Sequence, residues 1–131
     1  MAMPQETAKP LKILLVEPNG DVQEAFAAML RCVGHAVDVA AHGGEALAIA
    51  GRNPPDVVLS ELPLTDMSGL DLCIHLRGQP RTAKCAMLAL TAYCNNAHKE
   101  ELLKVGFDHV LLKPVSLKRI MEVLEPLPVV H

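Results

Sequence analysis

Five short apolar runs punctuate the chain: LKILLV at 11–16, HAVDVA at 35–40, DVVLS at 56–60, AMLAL at 86–90 and HVLL at 109–112. They are short and mostly rich in branched side chains, which predicts strands, the second being the weakest. Between them the apolar positions change spacing. In GDVQEAFAAMLRCVG (20–34), Val22, Phe26, Met29, Leu30 and Val33 recur at helical intervals, and Gly34 ends the segment. Further helices are predicted over 43–51, 68–78, 95–106 and 116–125. Ser68 and Asp71 are placed as a capping box, Asn95 and Ser116 as caps, Gly106 and Pro126 as stops. Strand and helix thus alternate throughout, the pattern of an α/β fold with a parallel sheet covered by helices on both faces. The strands are continuously apolar, as strands buried on both faces must be.

With 131 residues the chain suits one domain, expected over 11–125, with a flexible leader at 1–10 and a short tail at 126–131. Half the residues are hydrophobic but only 2% are aromatic, so the core must be aliphatic. The net charge is −3 and the Lys and Arg residues form no block, which argues against nucleic acid as a partner. No apolar run is long enough to span a membrane, and MAMPQETAKP lacks the apolar centre of a signal peptide, so a soluble cytoplasmic protein is expected. Cys32, Cys73, Cys85 and Cys94 have no CxxC spacing and read as reduced, small hydrophobes. The six histidines make no metal-binding pattern and are expected on the surface or in loops.

In such sheets ligands gather beyond the carboxyl ends of the strands. Those ends carry Glu17, Glu61, Thr91 and Lys113, the last followed by Pro114. Two carboxylates, a hydroxyl and an ammonium at one sheet edge suit a hard cation and phosphoryl oxygens.

ILLVE, DVVLSE, DMSGLDL, LALTA and LLKP, in this order and spacing, resemble the receiver domain of two-component response regulators over Leu11–Leu124. The resemblance implies a CheY-like, flavodoxin-like (βα)5 three-layer sandwich with strand order 2-1-3-4-5. It implies a signalling module rather than an enzyme. An aspartate ending the third strand would take a phosphoryl group from a histidine kinase, an acidic pair after the first strand would help hold Mg²⁺, and Thr91 and Lys113 would bind phosphoryl oxygens and carry the switch. Partners would be a histidine kinase, an output domain or another receiver, through the face of the fourth helix, fifth strand and fifth helix. A cis peptide before Pro114 is also implied.

Four positions depart from that pattern. Glu61 stands at the phosphoacceptor position, Pro18 replaces the second acid, Thr65 stands where proline is usual, and Val110 replaces the switch aromatic. A glutamate carboxylate reaches roughly 1.5 Å further than an aspartate's, and a misplacement of about 1 Å can cost ~10²-fold in rate. Glu17, Glu61 and the Pro63 carbonyl are the remaining metal ligands, with Asn19 better used as a helix cap, so Mg²⁺ binding is expected to be weak or absent and no other cofactor is expected. Val110 has no ring to turn. The expected product is an atypical, phosphorylation-independent receiver in which Glu61 pairs with Lys113 and fixes one conformation. Two other readings stay open: a competent acceptor using Glu61, and a flavodoxin-like enzyme or nucleotide binder, which the lack of a GxGxxG or P-loop signature disfavours. Ser60 and Thr65 are weaker acceptor candidates, Gly43–Gly44 reads as turn geometry rather than a phosphate cradle, and the charges of the last two helices read as a solvated surface.

Overall fold

The computed structural model describes residues 10–92 and 94–129. All but one residue of the expected leader, and the last two of the tail, lie outside them. Five strands, β1 (Lys12–Val16), β2 (Ala36–Ala40), β3 (Val57–Glu61), β4 (Ala86–Thr91) and β5 (His109–Leu112), alternate with five helices. These are α1 (Gly20–Cys32), α2 (Gly43–Arg52), α3 (Gly69–Arg77), α4 (Asn96–Val105) and α5 (Leu117–Leu124). The sheet is parallel, in the order β2-β1-β3-β4-β5, the flavodoxin-like arrangement implied by the motifs.

Neighbouring strand residues point to opposite faces, and this divides the core in two. Leu14, Val16, Val58, Met87 and Ala89 pack with Leu72, Leu76 and Leu102 on one side. Ile13, Leu15, Val57, Leu59, Leu88 and Leu90 pack with Ala27, Leu30, Ile120 and Val123 on the other. A strand covered on both faces has no polar position to spare, which is why β3 is buried at every residue, Ser60 and Glu61 included.

The caps fall where the sequence puts them. The side chains of Asn19, Ser68, Asn95 and Ser116 accept from Val22, Asp71, His98 and Arg119 N–H groups, starting α1, α3, α4 and α5. The charges of α4 and α5 lie mostly on the exposed surface, with one open ion pair between Arg119 and Glu122 at 3.8 Å. Cys73 and Cys85 are buried apolar thiols, and burial pushes Cys85 up to about 11. Cys32, read as a reduced, small hydrophobe, is free and exposed at the end of α1.

Two histidines, at loop positions as expected, also make bonds that the sequence does not announce. His42 caps α2, its Nδ1 accepting from Glu45 N–H at 3.2 Å. His35 is buried, because its Nδ1 accepts from the Leu11 N–H at 3.1 Å where β1 begins, a donor that would otherwise lack a partner. Burial holds His35 below the usual histidine value of 6.5. As the pH falls, the unfolded chain therefore takes up this proton before the folded one. The stabilisation is complete above about pH 6.5 and is lost as the pH falls through the folded value. In urea melts between pH 7.5 and 5, the wild-type midpoint is expected to fall more steeply than that of His35→Gln. Equal slopes would assign the acid sensitivity to other groups.

Candidate functional site at the carboxyl edge of the sheet

Glu17 follows the last residue of β1, and its backbone is fixed from two sides. Its N–H donates to Ala40 O at 2.9 Å, closing the β1–β2 edge. Gln23 Nε2 of α1 donates to both Glu17 O and Ala40 O, each at 3.1 Å. The next residue is Pro18, which offers no side-chain oxygen, and Asn19 N–H turns back to Glu17 Oε2 at 3.1 Å. Glu61 is the last residue of β3, paired in register with Leu90. Thr91 ends β4, buried, and its carbonyl accepts the Lys113 N–H at 2.8 Å. That bond brings the lysine beside the carboxylates, and the following Lys113–Pro114 peptide is cis.

Lys113 Nζ lies 2.8 Å from Glu61 Oε2 and 3.7 Å from Glu17 Oε1. Both carboxylate side chains are nearly closed off, at 11% and 7% exposure, whereas the lysine is 34% exposed. The Glu61 contact is a charge pair rather than an aligned hydrogen bond, and the buried Oε2 has no hydrogen-bond partner. Burial on its own would lower the lysine's pKa, but Glu61 and then Glu17 outweigh it, and Lys113 is held above the usual 10.5. Deprotonation of Lys113 therefore weakens the pair only as alkaline pH rises through the folded value.

These residues fit Mg²⁺ poorly. The ion requires near-octahedral oxygen geometry. Here one Glu17 oxygen already accepts a backbone N–H, and both the other and Glu61 Oε2 face the ammonium. Among the described residues no three His, Cys, Asp or Glu side chains are grouped to hold a metal. The positive charge within the cluster comes from the chain itself.

The loop between β3 and α3 is tightly bound. Pro63 bridges to Ser68, and Gly69 N–H donates to Leu62 O at 2.6 Å. A Cβ on Gly69 would stand 2.7 Å from Glu61 O and 3.0 Å from Leu62 Cα. Both are backbone atoms and cannot swing aside, so Gly69→Ala is expected to cost about 2 kcal/mol in a urea melt and to displace Glu61. A loss below 0.5 kcal/mol, roughly the level of a neutral surface change, would show the loop to be more yielding than this contact implies. Asp66, not singled out in the sequence, accepts from the Gly43 and Gly44 N–H groups at 2.8 Å each, and these hold it below the usual carboxylate range. The two glycines are thus an anion seat after all, filled by the chain's own carboxylate. Ser60 is wholly buried and donates to Glu61 O at 2.8 Å, whereas Thr65 is exposed. Val110 is half-buried against the core cluster that contains Leu102 and Phe107.

Comparison with known proteins agrees with this fold. A model of the response regulator receiver domain matches residues 13–125. The polar-differentiation response regulator DivK of Brucella anthropi is 25% identical over 116 residues, 88% of this chain and 94% of DivK. The structure is similar to that of the chemotaxis protein CheY4 of Vibrio cholerae, with 27% identity and a TM-score of 0.86 over 92% of this chain and 100% of that one. It is also similar to the receiver domain of the sensor histidine kinase PA1611 of Pseudomonas aeruginosa PAO1, with 29% identity and a TM-score of 0.82 over 91% and 98%. In that structure a magnesium ion is coordinated in the active-site cleft.

Proposed function

Because the chain belongs to the response regulator receiver family of two-component signalling, we propose that it is an atypical receiver that works without phosphorylation, as a protein-interaction module. One observation carries this reading: the 2.8 Å contact between Lys113 and Glu61, with Glu17 at 3.7 Å on the other side of the ammonium. In-line transfer needs a free oxygen at contact distance from phosphorus, and the lysine sits against that oxygen. Thr91 and Lys113 keep the family's residue types, but Glu61 in place of aspartate, Pro18 in place of the second acid and Val110 in place of the aromatic remove the acceptor geometry, a metal ligand and the switch ring. Glu17, Glu61 and the Pro63 carbonyl would hold Mg²⁺ weakly or not at all. A carboxylate carries a single charge and lacks the three phosphoryl oxygens, so Glu61 is assigned to locking one conformation rather than to imitating a phosphoaspartate.

Residues 11–125 form the receiver unit in this reading. It acts in the cytoplasm, without nucleic acid, and binds a kinase, an output domain or another receiver through the face made by α4, β5 and α5. Among the described residues no helix is long and apolar enough to cross a membrane. A second reading, acceptance of a phosphoryl group by Glu61, draws support from the Oε2 atom that has no hydrogen bond. Incubation with Mg²⁺ and acetyl phosphate, followed by intact-mass measurement, separates the two. An unchanged mass is expected; a stoichiometric phosphoryl adduct mapped to Glu61 would overturn phosphorylation independence and establish the second reading.

A further inference from the structure

Among the described residues three acids are buried, Glu17, Asp56 and Glu61. Asp56 precedes β3 and accepts from the Lys12 N–H at 2.8 Å. Glu17 and Glu61 lie together at the other edge, after β1 and at the end of β3, two strands that are neighbours in the sheet. Two carboxylates buried side by side are costly unless a cation is shared between them. Among the described residues Lys113 is the cation that pairs with either.

The backbone decides where that cation stands. Lys113 N–H donates to Thr91 O at 2.8 Å, and Thr91 is paired in register with Leu112. The stem of the lysine therefore starts from a fixed strand end. On the other side, Asn19 N–H holds Glu17 Oε2 at 3.1 Å and leaves Oε1 for the ammonium. Nζ meets Glu61 Oε2 at 2.8 Å and Glu17 Oε1 at 3.7 Å, so one tethered charge serves both acids.

We infer that the Lys113 ammonium is the resident cation of this site, and that a hard divalent cation binds Glu17 and Glu61 only when the lysine's charge is removed. This rests on the reading of the site as locked and extends it: the lock holds whatever the supply of free Mg²⁺. The argument is one of shared oxygens. A metal ion bound to these carboxylates would take the same two atoms that face Nζ, at about 2.0–2.1 Å. A single and a double positive charge roughly 4 Å apart repel by a factor of about thirty in binding even at the dielectric constant of water. With the ammonium the cluster carries one net negative charge; without it, two.

The test uses Mn²⁺, a paramagnetic ion that shares the preference of Mg²⁺ for carboxylate and carbonyl oxygen, titrated into the ¹⁵N-labelled full chain. No saturable broadening of the Glu17, Glu61 and Leu62 amides is expected in the wild type. Lys113→Met, which keeps the length of the stem and removes the charge, should bind at least about thirtyfold more tightly. Lys113→Gln, which keeps a donor for Glu61, should also gain binding, and adding Glu17→Gln to either variant should abolish it. Thermal melts give a second readout that does not need a fully stable variant. Added Mg²⁺ should raise the midpoint of Lys113→Met and leave that of the wild type unmoved. Equal Mn²⁺ binding by wild type and Lys113→Met, or no gain in either readout for both lysine variants, would overturn the inference. Saturable binding by the wild type, with its mass unchanged in acetyl phosphate, would overturn it and leave phosphorylation independence standing.

Discussion

Replacing Arg77 by alanine is expected to lower the unfolding free energy by about 3 kcal/mol or more, a large part of the 5–15 kcal/mol typical of a domain. All five guanidinium N–H groups are in use. Nε and Nη2 donate to Gly106 O at 3.1 and 2.7 Å, and Nη2 also reaches Asp108 Oδ2 at 3.0 Å. Nη1 donates to Ala83 O at 2.9 Å and to Cys85 O. One side chain therefore joins the end of α3, the loop before β4, the C-terminal cap of α4 and the entry to β5. Truncation leaves three carbonyls short of a donor. It also removes the partner of Asp108, whose Oδ2 additionally accepts the Met87 N–H at 2.8 Å. Lysine has three donors and no planar fork, so Arg77→Lys should recover less than half of the loss. Urea midpoints at a constant m-value are the measurement; a loss below 1 kcal/mol for the alanine variant would mean that these bonds are readily replaced by water.

The second large effect is a gain. Glu61→Asp alone is expected to restore little phosphorylation by acetyl phosphate, whereas Glu61→Asp with Pro18→Asp should restore at least ~10²-fold more, the scale of a 1 Å correction in the position of a reacting group. Shortening the side chain draws the carboxylate back from Lys113, which now lies 2.8 Å from it. It does not supply the oxygen that Pro18 withholds. The added acid makes a third carboxylate beside Glu17, and the recovered activity should then depend on added Mg²⁺ and vanish with a chelator. Full activity in the single variant would show that acceptor length alone silences the site and that Pro18 is incidental.

The order of strands and helices was readable because apolar periodicity is a local signal. A continuous run such as VVLS could only be a strand covered on both sides, and Asn19, Ser68 and Ser116 cap the helices that follow them. The meeting of Glu17, Glu61, Thr91 and Lys113 was also readable, since a parallel sheet gathers the carboxyl ends of its strands. What escaped were bonds between side chains and distant backbone. Arg77 looked like any basic residue in a last helical turn, yet it reaches Gly106 and Asp108, 29 and 31 residues on. His35 is the loop residue it looked like, but its burial escaped, because nothing local marks the Leu11 N–H, 24 residues earlier, as its donor. Asp56 appeared only to open a strand, whereas its carboxylate accepts from Lys12 N–H across 44 residues. Such contacts have no period, so no spacing along the chain announces them.

The seat that Asp66 occupies at the start of α2 also bears on how the protein breathes. First-turn amides of a helix have no intrahelical acceptor and ordinarily trade their protons with solvent almost at once. Here the Gly43 and Gly44 amides are held by a carboxylate 23 and 22 residues further along the chain. Their exchange rates therefore record how often the segment immediately after Glu61 lifts away, and two glycines at the head of one helix become a clock for a loop that belongs to another.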